Sequence, residues 1–234
     1  MKIKSKNQFL DHIQKERAWR RKELTNVKSL IHGARASHSH TLIRSGILLL
    51  YSHWEGYVKK VCEAFFYYLN FKAIKYSELS NNLRALGIIS EFDNNFPYKK
   101  FSSYLKSVNF VLTDCKNKRF KLDVEKNIDT QSNLNTEVLN ELLDKVGVDS
   151  TYFSNHKFYI DNRLLKCRNA IAHGERTDNN QDLSLTNEEF YDLYAKVNSL
   201  MDHFENIVVN HLERESYKTP RLILQPGNTC LPEL

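Results

Sequence analysis

TLIRSGILLLYSHWEGYVKKVCEAFFYYLN, residues 41–70, is the stretch on which the fold turns. Leu42, Ile43, Leu48, Leu49, Tyr51, Trp54, Val58, Val61, Cys62, Phe65, Tyr68 and Leu69 recur at helical intervals and leave only narrow polar gaps. A helix that is apolar on so many sides is central in its bundle or shared with a second subunit. The run is too interrupted to span a membrane, because His53, Glu55, Lys59, Lys60 and Glu63 break it.

Helical periodicity continues on either side. Phe9, Leu10, Ile13, Trp19, Leu24, Val27, Leu30 and Ile31 form the apolar stripe of a helix over residues 8–31, with Gly33 as its stop. Residues 157–173 form another helix, ended by Gly174 in the left-handed conformation that glycine adopts without a Cβ penalty. Thr186-Asn-Glu-Glu189 is a capping box, and the period that follows from Phe190 to Leu212 predicts a last long helix. Between residues 77 and 146 lie three short helical pieces, at 77–91, 99–114 and 136–146. Phe120 to Val124 alternates like a short strand or extended link, and 123–131 is polar enough for a mobile loop. Tyr217 to Leu234 holds three of the four prolines and no period, which predicts a flexible tail. The expected organisation is an all-α bundle of long antiparallel helices over residues 1–216, with a variable, insert-like middle region at 77–146 and a tail at 217–234.

Composition agrees. Seven Gly and four Pro in 234 residues are too few for a many-stranded β protein. A 41% hydrophobic content excludes global disorder. The four cysteines are far apart and form no zinc-ligand pair, so neither a disulfide framework nor a metal is expected. Met1 to Asn7 has no apolar signal core, and the chain reads as cytoplasmic with no membrane partner. A net charge of +6 is compatible with a polyanionic partner. No P-loop, GxSxG or HExxH pattern occurs, which removes support for NTPase, serine hydrolase and zincin chemistry.

The chemistry-bearing segment is Asp161-Asn-Arg-Leu-Leu-Lys166-Cys-Arg168-Asn169-Ala-Ile-Ala-His173-Gly174. At about 100° per residue, Asn169 and His173 are nearly eclipsed. Arg168 lies on the neighbouring flank, with Asp161 two turns earlier on the same line as Arg168. A guanidinium, an amide and an imidazole thus meet at one helix end. This trio suits RNA cleavage without a metal. An imidazole with an unperturbed pKa of ~6.5 exchanges protons near neutrality, and Arg clamps phosphate oxygens in a bidentate fork.

Arg168-Asn169-x-x-x-His173-Gly174 resembles the Arg-x4–6-His signature of the HEPN superfamily, in its Arg-Asn-x-x-x-His form. The order of helices is also similar. Tyr51-Ser-His-Trp54-Glu55 resembles the Trp-Glu helix of the RiboL-PSP-like branch, so the likeness spans roughly residues 5–215. The resemblance implies a metal-independent endoribonuclease without a cofactor, usually a homodimer whose two motif helices line one cleft. Its products would carry 2′,3′-cyclic phosphate ends. It also implies a toxin or anti-phage effector, paired with an antitoxin or another defence-system protein. Carried over by residue, Arg168 and His173 are the catalytic pair, Asn169 the polar helper and Glu55 a supporting group; Asp161, from its place on the motif helix, is read as a second supporting residue. Glu175 stands where one subtype has a tyrosine two positions after its histidine, which separates this chain from that subtype.

Each motif also has an ordinary reading. Arg168 can pair along its helix and His173 can be a plain C-cap. The basic run Arg17, Arg20, Arg21 and Lys22, and Lys166, can be solvated surface or can contact RNA phosphates. His32, His38 and His40 read as a solvated loop. A noncatalytic helical module binding RNA, a nucleotide or a protein is the alternative function, and a structural scaffold is the third.

Overall fold

The structure is a computed structural model, and it describes residues 2–92, 97, 99–176, 183 and 185–219. Its axis is α2, Ala36–Lys72, which at 1.5 Å per residue extends about 55 Å. Tyr51, Trp54, Tyr57, Val58, Val61, Cys62, Phe65 and Phe66 along it are fully or almost fully buried. Burying each such large side chain contributes about 1.5–3 kcal/mol, so α2 dominates the core. α1, Lys6–His32, and α9, Asn187–Glu213, pack along it. At Gly46 the three helices meet closely. A Cβ there would lie 2.8 Å from Phe190 Cε2 and 2.9 Å from Ile31 Cδ1, so only glycine fits without displacement.

α2 begins before the predicted Thr41, and this places His38 and His40 on its first turns rather than in a loop. The middle region supplies α3 at Asn81–Ser90, α4 at Phe101–Leu112, the one-turn α5 at Val124–Asn127, and α6 at Thr136–Val146. Residues 119–122 are extended, but among the described residues they make only an isolated bridge, Arg119 to Lys75. The segment read as a mobile loop is instead packed. Val124, Asn127, Ile128 and Thr130 are buried, because Ile128 and Val124 anchor it on the bundle while Asp123 caps its short helix.

Then follow α7, Thr151–Asn155, a π-helical segment at Phe158–Leu165, and α8, Lys166–Ala172. The capping box at Thr186 forms as expected, with Glu189 N–H donating to Thr186 Oγ1 and Thr186 N–H to Glu189 Oε2. The expected tail starts later than its composition suggests. The Tyr217 side chain is fully buried against Phe65 and His211, and Ser80 N–H donates to its carbonyl. The rest of the expected tail, 220–234, lies outside the described residues.

Candidate active site

Arg168 and Asn169 are on α8, and His173 caps its C-terminus. The end is a glycine cap. Gly174 has φ +77°, its N–H donates to the Ile171 carbonyl, and Glu175 N–H donates to the Ala170 carbonyl. The His173 side chain is exposed. Arg44 of α2 donates to the Glu175 carbonyl at 2.8 Å and ties the turn to the scaffold.

Arg168 is half-buried and held on two sides. Its guanidinium lies 4.4 Å over the Tyr51 ring, and its Nη1 donates to Asn169 Oδ1 at 2.7 Å. A cation on an aromatic face is attracted by the ring quadrupole, so Tyr51 aims the Arg168 fork as well as filling core. The Tyr51 hydroxyl accepts from Leu134 N–H at 2.7 Å. Burial, then the neighbouring Glu55 carboxylate, pushes this phenol well above its ordinary pKa, so it stays neutral. Glu55 is therefore one turn below Tyr51 on the same face of α2, beside the motif helix. Among the described residues its buried Oε1 has no hydrogen-bond partner.

The loop before α6 closes over this layer. Asn169 Nδ2 donates to Asn133 Oδ1 at 3.2 Å. Thr136 donates to Asp161 Oδ1 twice, from its N–H at 2.7 Å and its hydroxyl at 2.9 Å, while Asp161 Oδ2 pairs with Lys157. Asp161, Lys166, Asn169, His173 and Glu175 line one open pocket of about 410 Å³. Straight α-geometry puts Asp161 on the Arg168 line. The structure puts it on the pocket with Asn169 and His173 instead, because the π segment winds with i→i+5 spacing and rotates Asp161 relative to α8. Arg168 itself does not line this pocket.

A family model described as RiboL-PSP-HEPN matches residues 15–210. The chain belongs to the RiboL-PSP-HEPN family. Neither a curated protein nor a solved structure matches it significantly. HEPN domains are helical, commonly bind RNA, often dimerise and are often ribonucleases. The match covers both α2 and the motif helix of this HEPN chain.

The expected site residues thus divide. Asp161, Lys166, Asn169 and His173 line one pocket, Arg168 bonds Asn169 beside it, and Glu55 lies on α2 one turn from Tyr51, outside that lining. Arg17 and Arg20, read as solvated surface or phosphate contacts, are instead buried between the helices. They are 7% and 5% exposed. Arg17 donates to Asp202 Oδ1 at 2.7 Å and to Asn198, and Arg20 pairs with Glu16 and stacks on Trp19. Both guanidiniums lie 5.8 Å from the Tyr57 ring, filling the seam between α1, α2 and α9. Arg21 and Lys22 remain exposed. Tyr51, Asn133, Thr136 and Arg44 were not singled out as site residues in the sequence. Tyr51 carries a signal, since it heads the Trp54-Glu55 segment; Asn133 in its polar loop carries none.

Proposed function

We propose that this HEPN chain is a metal-independent endoribonuclease that works as a homodimer, as a toxin or anti-phage effector held in check by a partner protein. The observation that carries the reading is the exposed imidazole of His173 in the same pocket as Asn169, beside an Arg168 oriented by Tyr51.

The chemistry follows from those groups. The 2′-hydroxyl of a bound ribonucleotide gives its proton to a neutral His173 imidazole and attacks the adjacent phosphorus in line. The O2′–P bond forms as the P–O5′ bond breaks, leaving a 2′,3′-cyclic phosphate. The departing 5′-oxygen takes its proton from an imidazolium. One His173 cannot serve as base and acid in the same pass, so the two copies of a dimer divide the work. Arg168 neutralises charge that grows on the phosphoryl oxygens. Asn169, bonded to both Arg168 and Asn133, holds the clamp in place.

One observation favours the noncatalytic alternative. Arg168 has internal partners and does not open onto the pocket that His173 lines. An oligoribonucleotide with a single 2′-deoxy position at the cut site decides between them. The proposal expects cleavage of the all-ribose strand in EDTA, with a cyclic phosphate end, and none of the deoxy strand. Tight binding of both strands without cleavage of either supports the binding module.

A further inference from the structure

α4 is built inside out. Phe101, Tyr104, Leu105, Val108, Val111 and Leu112 fall within an arc of about 120° on a helix of 3.6 residues per turn. All six point to solvent, with Phe101 80% and Leu112 64% exposed. The face turned to the protein carries Ser103, Ser107 and Phe110, and only Phe110 is a large apolar anchor, packed on Tyr76 at 5.1 Å. The outer stripe is a contiguous apolar patch on the order of 500 Å², the size that marks an interaction site on a soluble chain.

Basic residues are concentrated in this part of the sequence. Residues 99–121 hold seven basic side chains, Lys99, Lys100, Lys106, Lys116, Lys118, Arg119 and Lys121, against one acidic residue, Asp114. This segment alone accounts for a net +6, the formal charge of the whole chain. Lys118 pairs with Glu91 and Asp114, Lys106 donates to the Glu91 carbonyl and Arg119 to the Ala73 carbonyl, so these three turn to the protein and the lysines at the ends of the stripe are Lys99, Lys100 and Lys116. Lys99 and Lys100 stand before the N-terminus of α4, and Lys116 follows its C-terminus. A second copy laid on the stripe, parallel or antiparallel, brings lysines against lysines. Nucleic acid answers the charge but not the stripe, since four of the six exposed side chains are aliphatic and cannot stack on bases.

We propose that α4 is an interfacial helix that seats on an anionic lipid surface, with its apolar stripe among the acyl chains and the flanking lysines at the headgroups. Such helices combine an apolar face with surrounding Lys and Arg, and anionic leaflets attract basic segments. The contact is peripheral, because no helix among the described residues is long and apolar enough to cross a membrane. The stripe joins the protein through Phe110, Tyr76, Phe120 and Phe66, near the C-terminal half of α2. Tyr51, under the motif, is 15 residues away along α2, about 22 Å. The inference is independent of the ribonuclease reading.

The test is flotation of the purified full chain with phosphatidylcholine vesicles, with and without added phosphatidylglycerol. Wild type should float with the anionic vesicles only, and less as salt rises. The double variant Phe101→Asp, Leu105→Asp should lower partitioning about tenfold or more, since it puts charge on the buried face of an interfacial helix. Its melting temperature should hold, because both side chains are solvent-exposed. Phe101→Trp should show blue-shifted emission, relative to wild type, on adding anionic vesicles. Wild type that stays unbound with anionic vesicles overturns the proposal, as does a double variant that floats equally well. A dimer that the double variant dissociates, with no flotation of wild type, assigns the face to a second copy instead.

Discussion

Asp161→Ala separates clasp from chemistry. Asp161 lines the pocket with His173, but its Oδ1 accepts both hydrogen bonds of Thr136, the first residue of α6. Thr136 is only 4% exposed, so water cannot replace the lost acceptor. Loss of a cap costs about 0.5–2 kcal/mol, and a buried donor left unmet costs about 1–3 kcal/mol. These overlap, and about 2–3 kcal/mol is the expected total. The Lys157 pair adds little, because the lysine is 64% exposed. At about 2–4 °C per kcal/mol for a chain of this size, the melting temperature should fall by roughly 5–10 °C. Asp161→Asn keeps a neutral acceptor and should lose less than half of that. Below the transition, the Ala variant should retain most of its cleavage of RNA. Unchanged melting with abolished cleavage would instead place Asp161 in the chemistry. Unchanged melting together with unchanged cleavage would show that the clasp does not form in solution.

Acid should destabilise the fold. Burial lowers the pKa of His12, His53, His203 and His211, so the unfolded chain binds protons more readily than the folded one. Stability should be full above the unfolded value of about 6.5 and fall as pH drops from there toward the depressed folded values, read as the urea midpoint across that window. Gly174→Ala should cost about 1–2 kcal/mol from left-handed strain alone, since nothing lies within 4 Å of the added Cβ. Calorimetry checks it, and a much larger loss would mean the turn also carries packing. Arg17→Ala should lower thermal stability without changing the salt dependence of RNA binding. Arg21→Ala with Lys22→Ala should do the reverse, flattening that dependence at constant melting temperature.

The long helices were legible because their apolar period is strong and their ends carry chemistry, a capping box at Thr186 and a left-handed glycine at Gly174. The middle region was less so. Residues 123–131 are polar in sequence yet packed, because a few apolar positions, Val124 and Ile128, suffice to seat them. The motif segment was readable as one helix, but not its π segment, since i→i+5 winding leaves no pattern in eight residues. Asp161 therefore moved from the Arg168 line to the His173 pocket. Arg17 and Arg20 misled because a basic run on an exposed helix and a row of buried arginines have the same composition. The partners of Arg17, Asp202 and Asn198, lie more than 180 residues away, and Arg20 is covered by Trp19 and by Tyr57 of the next helix. The inverted face of α4 is invisible in the same way, since periodicity says that a helix is two-sided and not which side meets the core.

The proposed function rests on His173 performing proton transfer in RNA cleavage without a metal. Its most direct measurement is the single-turnover cleavage rate of an oligoribonucleotide in EDTA, for wild type and His173→Ala. The side chain is exposed, so the variant should melt and oligomerise like wild type. Its rate should fall by about 10²–10⁴, the usual contribution of a positioned acid or base. A folded His173→Ala protein that cuts as fast as wild type, or a wild type that cuts only after magnesium is restored, would contradict the account.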